Sequence, residues 1–161
     1  MQTTWPALHL LCGKIASGKS TLAKELASMP RTVILSEDNW LEHLFPGDIN
    51  TVEAYVRCTV RLRNAMGSHI TELLRLGVSV VLDFPANTIA TRTWMKSLIK
   101  DTQSELLLHF LDVSDDECLS RLHARNAARS HTFMVDDAQF DLITSCFVAP
   151  DDEEGFNIIW H

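Results

Sequence analysis

Gly13-Lys14-Ile15-Ala16-Ser17-Gly18-Lys19-Ser20 is a complete G-x-x-x-x-G-K-S pattern, and the residues around it are as informative as the pattern itself. Residues 7–12, just before it, form a short apolar run that predicts a buried strand. Residues 21–29 carry apolar side chains at helical spacing and end before Pro30. A strand, a glycine loop and a helix in this order predict a phosphate-binding loop that holds a nucleotide.

Each residue type in this loop suits a phosphate ligand. Gly13 and Gly18 allow the backbone to direct its N–H groups at phosphate oxygens, next to a helix N-terminus. Lys19 is expected to offset the charge of the β- and γ-phosphates, and the Ser20 hydroxyl to bind Mg²⁺. ATP and Mg²⁺ are therefore the predicted cofactors, while the side chain of Lys14 is expected to be solvated. The residues predicted to contact the nucleotide are Gly13, Lys14, Ile15, Ala16, Ser17, Gly18, Lys19, Ser20 and Thr21.

Length and charge limit the classes of protein that this chain can belong to. Its 161 residues are enough for a hydrophobic core without disulfides or metals, and they predict a single domain over residues 1–161. A formal net charge of −7 argues against a general nucleic-acid binder. No positive charge precedes Lys14 and no apolar run approaches about 18 residues, so a soluble cytoplasmic protein with no membrane contact is expected.

The cysteines and histidines indicate neither disulfides nor a metal centre. The four cysteines have no C-x-x-C spacing and are expected to be buried, reduced thiols. They are Cys12, Cys58, Cys118 and Cys146. The seven histidines are scattered without the spacing of zinc ligands, so the sequence does not support a zinc site.

Strand and helix patterns alternate along the chain, which predicts an α/β fold with a parallel sheet and helices on both faces. Five strands are predicted, at residues 7–12, 32–35, 78–82, 106–111 and 156–160. Helices are predicted directly after the loop, from Ser36 to Phe45, over residues 51–76 and from Asn87 to Lys100. Two more are predicted from Ser114, with Glu117 completing a capping box, and over residues 136–147. The 51–76 helix is expected to have Asn50 as its cap and Gly77 at its end. In the long helix, apolar positions 52, 56, 59, 62, 66, 70 and 73 are expected to face the core.

Three aspartates follow predicted strands, at the edge where open α/β sheets bind ligands. Asp38 is a candidate general base for a phosphoryl acceptor, although on position alone it could equally be the cap of the short helix that follows. Asp83 suits a carboxylate near the magnesium, with a solvated strand end as the alternative. Asp112 lies in an acidic run and is interpreted as a solvated strand end.

Two sets of arginines are candidates for ligand contacts. Arg121, Arg125 and Arg129 recur at four-residue spacing and predict a short lid, approximately residues 121–135, that brings guanidinium groups onto ATP. Arg125 is the one assigned a catalytic part, and a solvated helix face is the alternative for any single member. Arg57 and Arg61 belong to a polar stripe on the long helix, which is either a solvated face or part of the wall that binds the acceptor.

Several of these segments resemble a group of small P-loop kinases that includes chloramphenicol phosphotransferase, zeta toxin, phage polynucleotide kinase and predicted ATP-binding kinases. The segment from Val33 to Trp40 is similar to the one in which this group places its general-base aspartate, which corresponds to Asp38. The third-strand motif of the group resembles residues 77–83 followed by Arg92. The lid and the C-terminal end of the predicted-kinase family resemble residues 121–129 and 154–159. The resemblance implies a P-loop NTPase fold and kinase activity, and it favours the general-base role of Asp38.

The chain also departs from parts of that group. Leu41 stands where polynucleotide kinase carries an arginine, and the sugar-nucleotide signature of zeta toxins is not found. The expected function is therefore transfer of the γ-phosphate of ATP to a hydroxyl of a small molecule, such as an antibiotic or a sugar-like metabolite. The alternatives are a polynucleotide 5′-hydroxyl kinase, which would need nucleic acid as its partner, and a non-enzymatic ATP-binding switch.

Overall fold

The computed structural model describes residues 5–128 and 134–161, and it contains one parallel five-stranded sheet. The strands are β1 (Ala7–Cys12), β2 (Thr32–Ser36), β3 (Ser79–Pro85), β4 (Glu105–Phe110) and β5 (Asn157–Trp160). Their order across the sheet is β2-β3-β1-β4-β5, with every neighbouring pair parallel. The predicted α/β class and all five predicted strands are confirmed.

Six α-helices and one short 3-10 helix connect the strands in the described residues. They are α1 (Lys19–Ala27), α2 (Glu37–Leu44), α3 (Val52–Arg75), α4 (Ile89–Ser97), α5 (Asp115–Ala127), α6 (Asp137–Ser145) and the 3-10 turn Asp152–Glu154. Polar caps start most of them, because their side chains accept N–H groups that lack a partner within the helix. Gly77 follows the C-terminal end of α3 and adopts a positive φ of 77°, as its position in the sequence predicts.

The two faces of the sheet are covered by different helices. On one face, alternate residues of the central strands, such as Leu10 and Leu82, pack against Leu62 and Ile70 of α3 and Met95 of α4 in the main core. This is the expected result of period-2 strands meeting a long amphipathic helix. On the other face, α1 packs through Ala23 onto Leu11 and Val81, and α5 and α6 form a third cluster. Helices therefore lie on both faces, as predicted.

Several local predictions about the helix ends are wrong. The cap of α3 is Thr51 rather than Asn50, and the cap of α4 is Thr88 rather than Asn87. Ser114 does cap α5, but the side chain of Glu117 pairs with Arg121 instead of closing a capping box.

The apolar pattern also misplaces part of the long helix. Val52 and Val56 are 68% and 54% exposed, whereas Ala54 and Cys58 face the core. The first two turns of α3 therefore bury a different stripe from the predicted one. Of the four cysteines, all of them free, Cys146 is exposed and the other three are buried.

A fully buried arginine joins the C-terminal segment to the rest of the domain. Arg92 of α4 is 0% exposed and donates two hydrogen bonds to the carboxylate of Glu154, at 2.8 and 2.7 Å. It also donates to the carbonyls of Ala86 and Val148, at 3.0 and 2.8 Å. A buried charge is tolerated only when it is paired in this way. The pair therefore holds the segment before β5 against the end of β3.

No helix within residues 5–128 and 134–161 combines the length and apolar character that crossing a membrane requires.

Candidate active site

The phosphate-binding loop, Asp38 and Asp83 lie at the carboxyl-terminal edge of the sheet. The phosphate-binding loop leaves the end of β1, Asp38 follows β2 in the first turn of α2, and Asp83 lies within β3. Because β3 runs between β2 and β1 in the sheet, Asp83 lies between the loop and Asp38. This edge is where open parallel sheets bind their ligands.

The loop has the backbone shape that an anion requires. Ala16 and Gly18 adopt positive φ values of 61° and 105°, so that N–H groups turn towards one concave side. Gly13 has no room for a side chain, since a Cβ there would lie 2.5 Å from Ser17 Oγ and 3.1 Å from the Leu111 carbonyl oxygen. Ser17 Oγ is buried and has no hydrogen-bond partner in the described part of the chain.

Lys19, the first residue of α1, points back into this loop. Its Nζ donates to the carbonyl oxygens of Gly13 and Lys14, at 2.6 and 2.7 Å. Burial lowers the pKa of Lys19 to about 8, although the negative charges of Asp83 and Asp38 act in the opposite direction. A buried ammonium held by two carbonyls is well placed to turn towards a phosphate.

Ser20 and Asp83 are hydrogen-bonded to each other. The Ser20 hydroxyl donates to Asp83 Oδ1 at 3.2 Å. Burial raises the pKa of Asp83, the hydrogen bond from Ser20 lowers it, and the charge of Asp38 raises it further. Asp83 is half-buried inside β3, two residues before the strand ends, and it accepts a hydrogen bond from Ser20.

Asp38 is exposed and lies close to several groups of the site. Its charge contributes to the pKa values of Lys19, Asp83 and Arg125, which come from three different elements. The cap of α2 is Ser36, whose side chain accepts from the Asn39 N–H. The capping alternative for Asp38 is therefore wrong.

A buried carboxylate beside Asp38 anchors the first turn of α2. Glu37 is 1% exposed and accepts two hydrogen bonds from Arg63 of α3, at 3.1 and 3.0 Å, and one from the Tyr55 hydroxyl at 3.1 Å. Burial raises the pKa of Glu37, and Arg63 acts in the opposite direction. These three hydrogen bonds to Glu37 fix the backbone from which the Asp38 side chain extends.

Of the two described arginines of the predicted lid, Arg121 contacts the loop. Arg121 Nη1 donates to the Ser17 carbonyl oxygen at 3.2 Å and also pairs with Glu117. Arg125 is half-buried; burial lowers its pKa, and the charge of Asp38 raises it. Arg129 and the centre of the predicted lid lie outside the described residues. Lys14 is not solvated as expected, because its Nζ pairs with Asp115 and donates to the Val113 carbonyl oxygen at 3.3 Å.

The remaining candidates lie on the surface. Arg57 and Arg61 are exposed on α3, and Thr21 is exposed on α1. Asp112 is exposed after β4, in agreement with its interpretation as a solvated strand end.

The donor set fits a nucleotide phosphate with Mg²⁺. The positive-φ loop, the buried Lys19 and the unpartnered Ser17 hydroxyl offer donors to phosphate oxygens. Ser20 and Asp83 offer the oxygen ligands that Mg²⁺ prefers. Within residues 5–128 and 134–161, no three His, Cys, Asp or Glu side chains cluster closely enough to hold a metal ion. Mg²⁺ commonly takes several of its ligands from phosphate and water.

Three residues of this region were missed at the level of the sequence. Glu37, Arg63 and Asn87 each make contacts between distant segments, and Asn87 bonds to both backbone groups of Gly13. Of these three residues, only Glu37 had a local signal in the sequence. It is an acidic residue that follows an apolar strand and directly precedes Asp38. Neither Arg63 nor Asn87 carries such a signal, because only the packing of α3 and α4 brings them to the site.

Comparison with known proteins identifies both a family and a set of related folds. The chain matches a family described as an AAA domain over residues 8–150. No curated protein matches it. A candidate kinase from Chloroflexus aurantiacus j-10-fl has a similar structure, with a TM-score of 0.77, 21% identity and coverage of 99% of this chain and 86% of that one.

Two further solved structures are similar at lower identity. A chain of the Pnkp1/Rnl/Hen1 RNA repair complex has a TM-score of 0.68 and 17% identity, covering 90% of this chain and 45% of that one. APS kinase CysC of Mycobacterium tuberculosis, in complex with AMPPNP and APS, has a TM-score of 0.59 and 19% identity, covering 90% of this chain and 83% of that one. At these identities the likeness concerns the fold.

Proposed function

We propose that this chain, which belongs to the AAA-domain family that it matches over residues 8–150, is a kinase that transfers the γ-phosphate of ATP to a hydroxyl of a small molecule. One observation carries this proposal. Asp38 is exposed at the same edge of the sheet as Lys19 and the hydrogen-bonded pair Ser20–Asp83. A phosphate-binding loop with an exposed carboxylate opposite it is the arrangement that phosphoryl transfer to a hydroxyl needs.

The residues divide the chemistry between them. Lys19, the loop N–H groups and Arg121 would hold the phosphates, and Ser20 with Asp83 would hold Mg²⁺, which neutralises charge on the phosphate oxygens. Asp38 would accept the proton of the acceptor hydroxyl. The acceptor oxygen bonds to the γ-phosphorus while the bond between that phosphorus and the leaving oxygen of ADP breaks. Arg125, whose pKa the charge of Asp38 raises, would offset the charge that develops on the transferred group.

The exposed side chains of α3 favour a compact acceptor. Val56 and Val60 are 54% and 51% exposed on α3, next to Tyr55, whose hydroxyl bonds to Glu37. Arg57 and Arg61 lie on the same helix and are proposed as polar anchors for the acceptor. Apolar side chains with a few polar groups are typical of small-molecule sites.

A polynucleotide acceptor is the second candidate, because a chain of an RNA repair complex shares the fold. The charge balance disfavours it, with 14 Lys and Arg against 21 Asp and Glu. A phosphate backbone requires a basic track, and its binding weakens steeply with salt.

The test is a screen for acceptor-dependent release of ADP from ATP and Mg²⁺. Purified protein is offered hydroxylated antibiotics, sugars, nucleosides and 5′-hydroxyl oligonucleotides, and products are identified by mass. With the acceptor found, Asp38→Asn should lower kcat by at least about 100-fold with little change in ATP affinity. Asp112→Asn is the matched control, an exposed aspartate after a strand, and should retain full activity.

The possible outcomes separate the candidates. Transfer to a small hydroxylated molecule supports the proposal, and salt-sensitive transfer to an oligonucleotide end supports the second candidate. ATP binding without any acceptor would indicate a nucleotide-dependent switch. Wild-type transfer rates in Asp38→Asn would exclude Asp38 as the base.

A further inference from the structure

Both backbone groups of Gly13 are bonded to one side chain. Asn87 Oδ1 accepts the Gly13 N–H at 3.0 Å, and Asn87 Nδ2 donates to the Gly13 carbonyl oxygen at 2.8 Å. The two residues are 74 positions apart, and Gly13 is buried at the start of the phosphate-binding loop. An asparagine carboxamide is suited to this because it presents one acceptor and one donor side by side.

The same carbonyl oxygen is also bonded to Lys19. Lys19 Nζ lies 2.6 Å from the Gly13 oxygen, so this atom accepts from the ammonium and from the Asn87 amide together. When Lys19 turns to a phosphate, it withdraws a donor from a buried carbonyl. A buried carbonyl without any donor is costly, so the donor from Asn87 makes the movement of Lys19 easier.

Asn87 is itself held from outside the loop. Its own carbonyl oxygen accepts the Val148 N–H at 2.9 Å. The carbonyl oxygens of its neighbour Ala86 and of Val148 both accept hydrogen bonds from the fully buried Arg92, which is paired with Glu154. The carboxamide therefore extends from a support that does not include the loop.

Helix capping does not account for Asn87. The cap of α4 is Thr88, whose Oγ1 accepts the Thr91 N–H at 3.2 Å. The Asn87 side chain is thus committed to the loop and contributes nothing to starting the helix that follows it.

We propose that Asn87 is a positioning residue of the phosphate-binding loop, whose carboxamide keeps the Gly13 peptide in place while Lys19 turns from its carbonyl to a phosphate. This rests on the nucleotide site of the proposed function, but it does not depend on the identity of the acceptor. Asn87 acts through Gly13 and Lys19 and need not touch the nucleotide.

The test measures the affinity for MgADP by calorimetry and, separately, the thermal midpoint of the nucleotide-free protein. Asn87→Ala removes both bonds to Gly13. Asn50→Ala is the matched control, because the Asn50 amide also donates to a glycine carbonyl, that of Gly47 at 2.9 Å, in the loop before α3. Asn87→Ser is the second variant. Its shorter hydroxyl side chain cannot reproduce the paired donor and acceptor of the carboxamide, and because it is small and polar it should not prevent folding.

We expect Asn87→Ala to bind MgADP about tenfold or more weakly, and Asn50→Ala to bind within about twofold of the wild type. Asn87→Ser should fall between them. If both Asn87 variants bind MgADP like the wild type, or if they lose thermal stability with affinity intact, Asn87 is only a structural contact and the inference is wrong. Failure of the wild type to bind MgADP would instead refute the proposed nucleotide site, and the inference with it.

Discussion

Ser20 Oγ lies 3.2 Å from Asp83 Oδ1, although the two residues are 63 positions apart in the chain. Ser20 belongs to the first turn of α1 and Asp83 to β3, the strand that neighbours β1 in the sheet. The parallel pairing of β1 with β3 brings both oxygens to the same edge. They form the pair proposed to hold Mg²⁺.

Asp83→Asn should weaken the use of Mg²⁺ without removing the loop. The amide keeps the shape of the carboxylate but carries no charge, so a divalent cation loses its main negative partner. We expect the Mg²⁺ concentration that gives half of the thermal stabilisation by ATP to rise about tenfold. The measurement is thermal unfolding at fixed ATP over a Mg²⁺ titration, with Asp112→Asn as control. An unchanged Mg²⁺ dependence would remove Asp83 from the metal site.

Binding of MgATP should take up protons near pH 8. In the nucleotide-free protein, burial lowers the pKa of Lys19 to about 8, so about half of the molecules carry a protonated Lys19 at pH 8. A phosphate beside the ammonium raises its pKa, so binding should take up about half a proton at pH 8 and almost none at pH 6.5.

Calorimetry in buffers of different ionisation enthalpy measures this uptake. Lys19→Arg is the control, because a guanidinium stays protonated over the whole range and should abolish the difference between the two pH values. Equal proton uptake in the wild type and Lys19→Arg would contradict contact between Lys19 and phosphate.

Removal of Arg63 should destabilise the protein far more than removal of an exposed arginine. Arg63→Ala leaves the carboxylate of Glu37, which is 1% exposed, without its cation, and we expect a loss of about 3 kcal/mol in the free energy of unfolding. Tyr55→Phe removes one neutral donor from the same carboxylate and should cost about 1 kcal/mol.

Urea unfolding provides the comparison. Arg75→Ala is the matched control, since Arg75 pairs with Glu72 on the surface of the same helix, and it should cost less than about 1 kcal/mol. If Arg63→Ala and Arg75→Ala lower the free energy of unfolding equally, the burial of the Glu37 carboxylate does not depend on its pairing with Arg63.

A row of three histidines should make the fold sensitive to acid. His109 Nε2 is 3.0 Å from His9 Nδ1, and His109 Nδ1 is 2.9 Å from His161 Nε2. Burial lowers the pKa of His109 to about 4 and also lowers that of His9, where the charge of Glu105 acts in the opposite direction. Because the folded state disfavours the protonated form, the stability from this row is complete above about pH 6.5 and is lost as pH falls towards 4.

The stability of the wild type and of His109→Leu is compared by urea unfolding between pH 4 and 7. We expect the loss on acidification to be clearly smaller in His109→Leu, and unchanged in the control His69→Ala, an exposed histidine of α3. Parallel curves for the wild type and His109→Leu would show that acid acts elsewhere.

Much of the fold followed from local patterns. The apolar run of β1, the glycine loop and the start of α1 are dictated by residues adjacent in sequence, and the structure places β1 at Ala7–Cys12 as predicted. Gly77 marks its turn because only a residue without a side chain takes its positive φ cheaply. The alternation of strands and helices likewise implied parallel pairing, because a parallel connection needs a crossover.

Several contacts between distant segments did not follow from any pattern. Whether Asn87 capped a helix or bonded to Gly13, and whether Val56 faced the core or the solvent, depended on the order of strands and on where α2 and α4 pack. The same holds for the burial of Glu37 against Arg63. A periodic pattern reports the preference of a segment for its own geometry, whereas the partner of a buried polar group is set by which elements the sheet brings together.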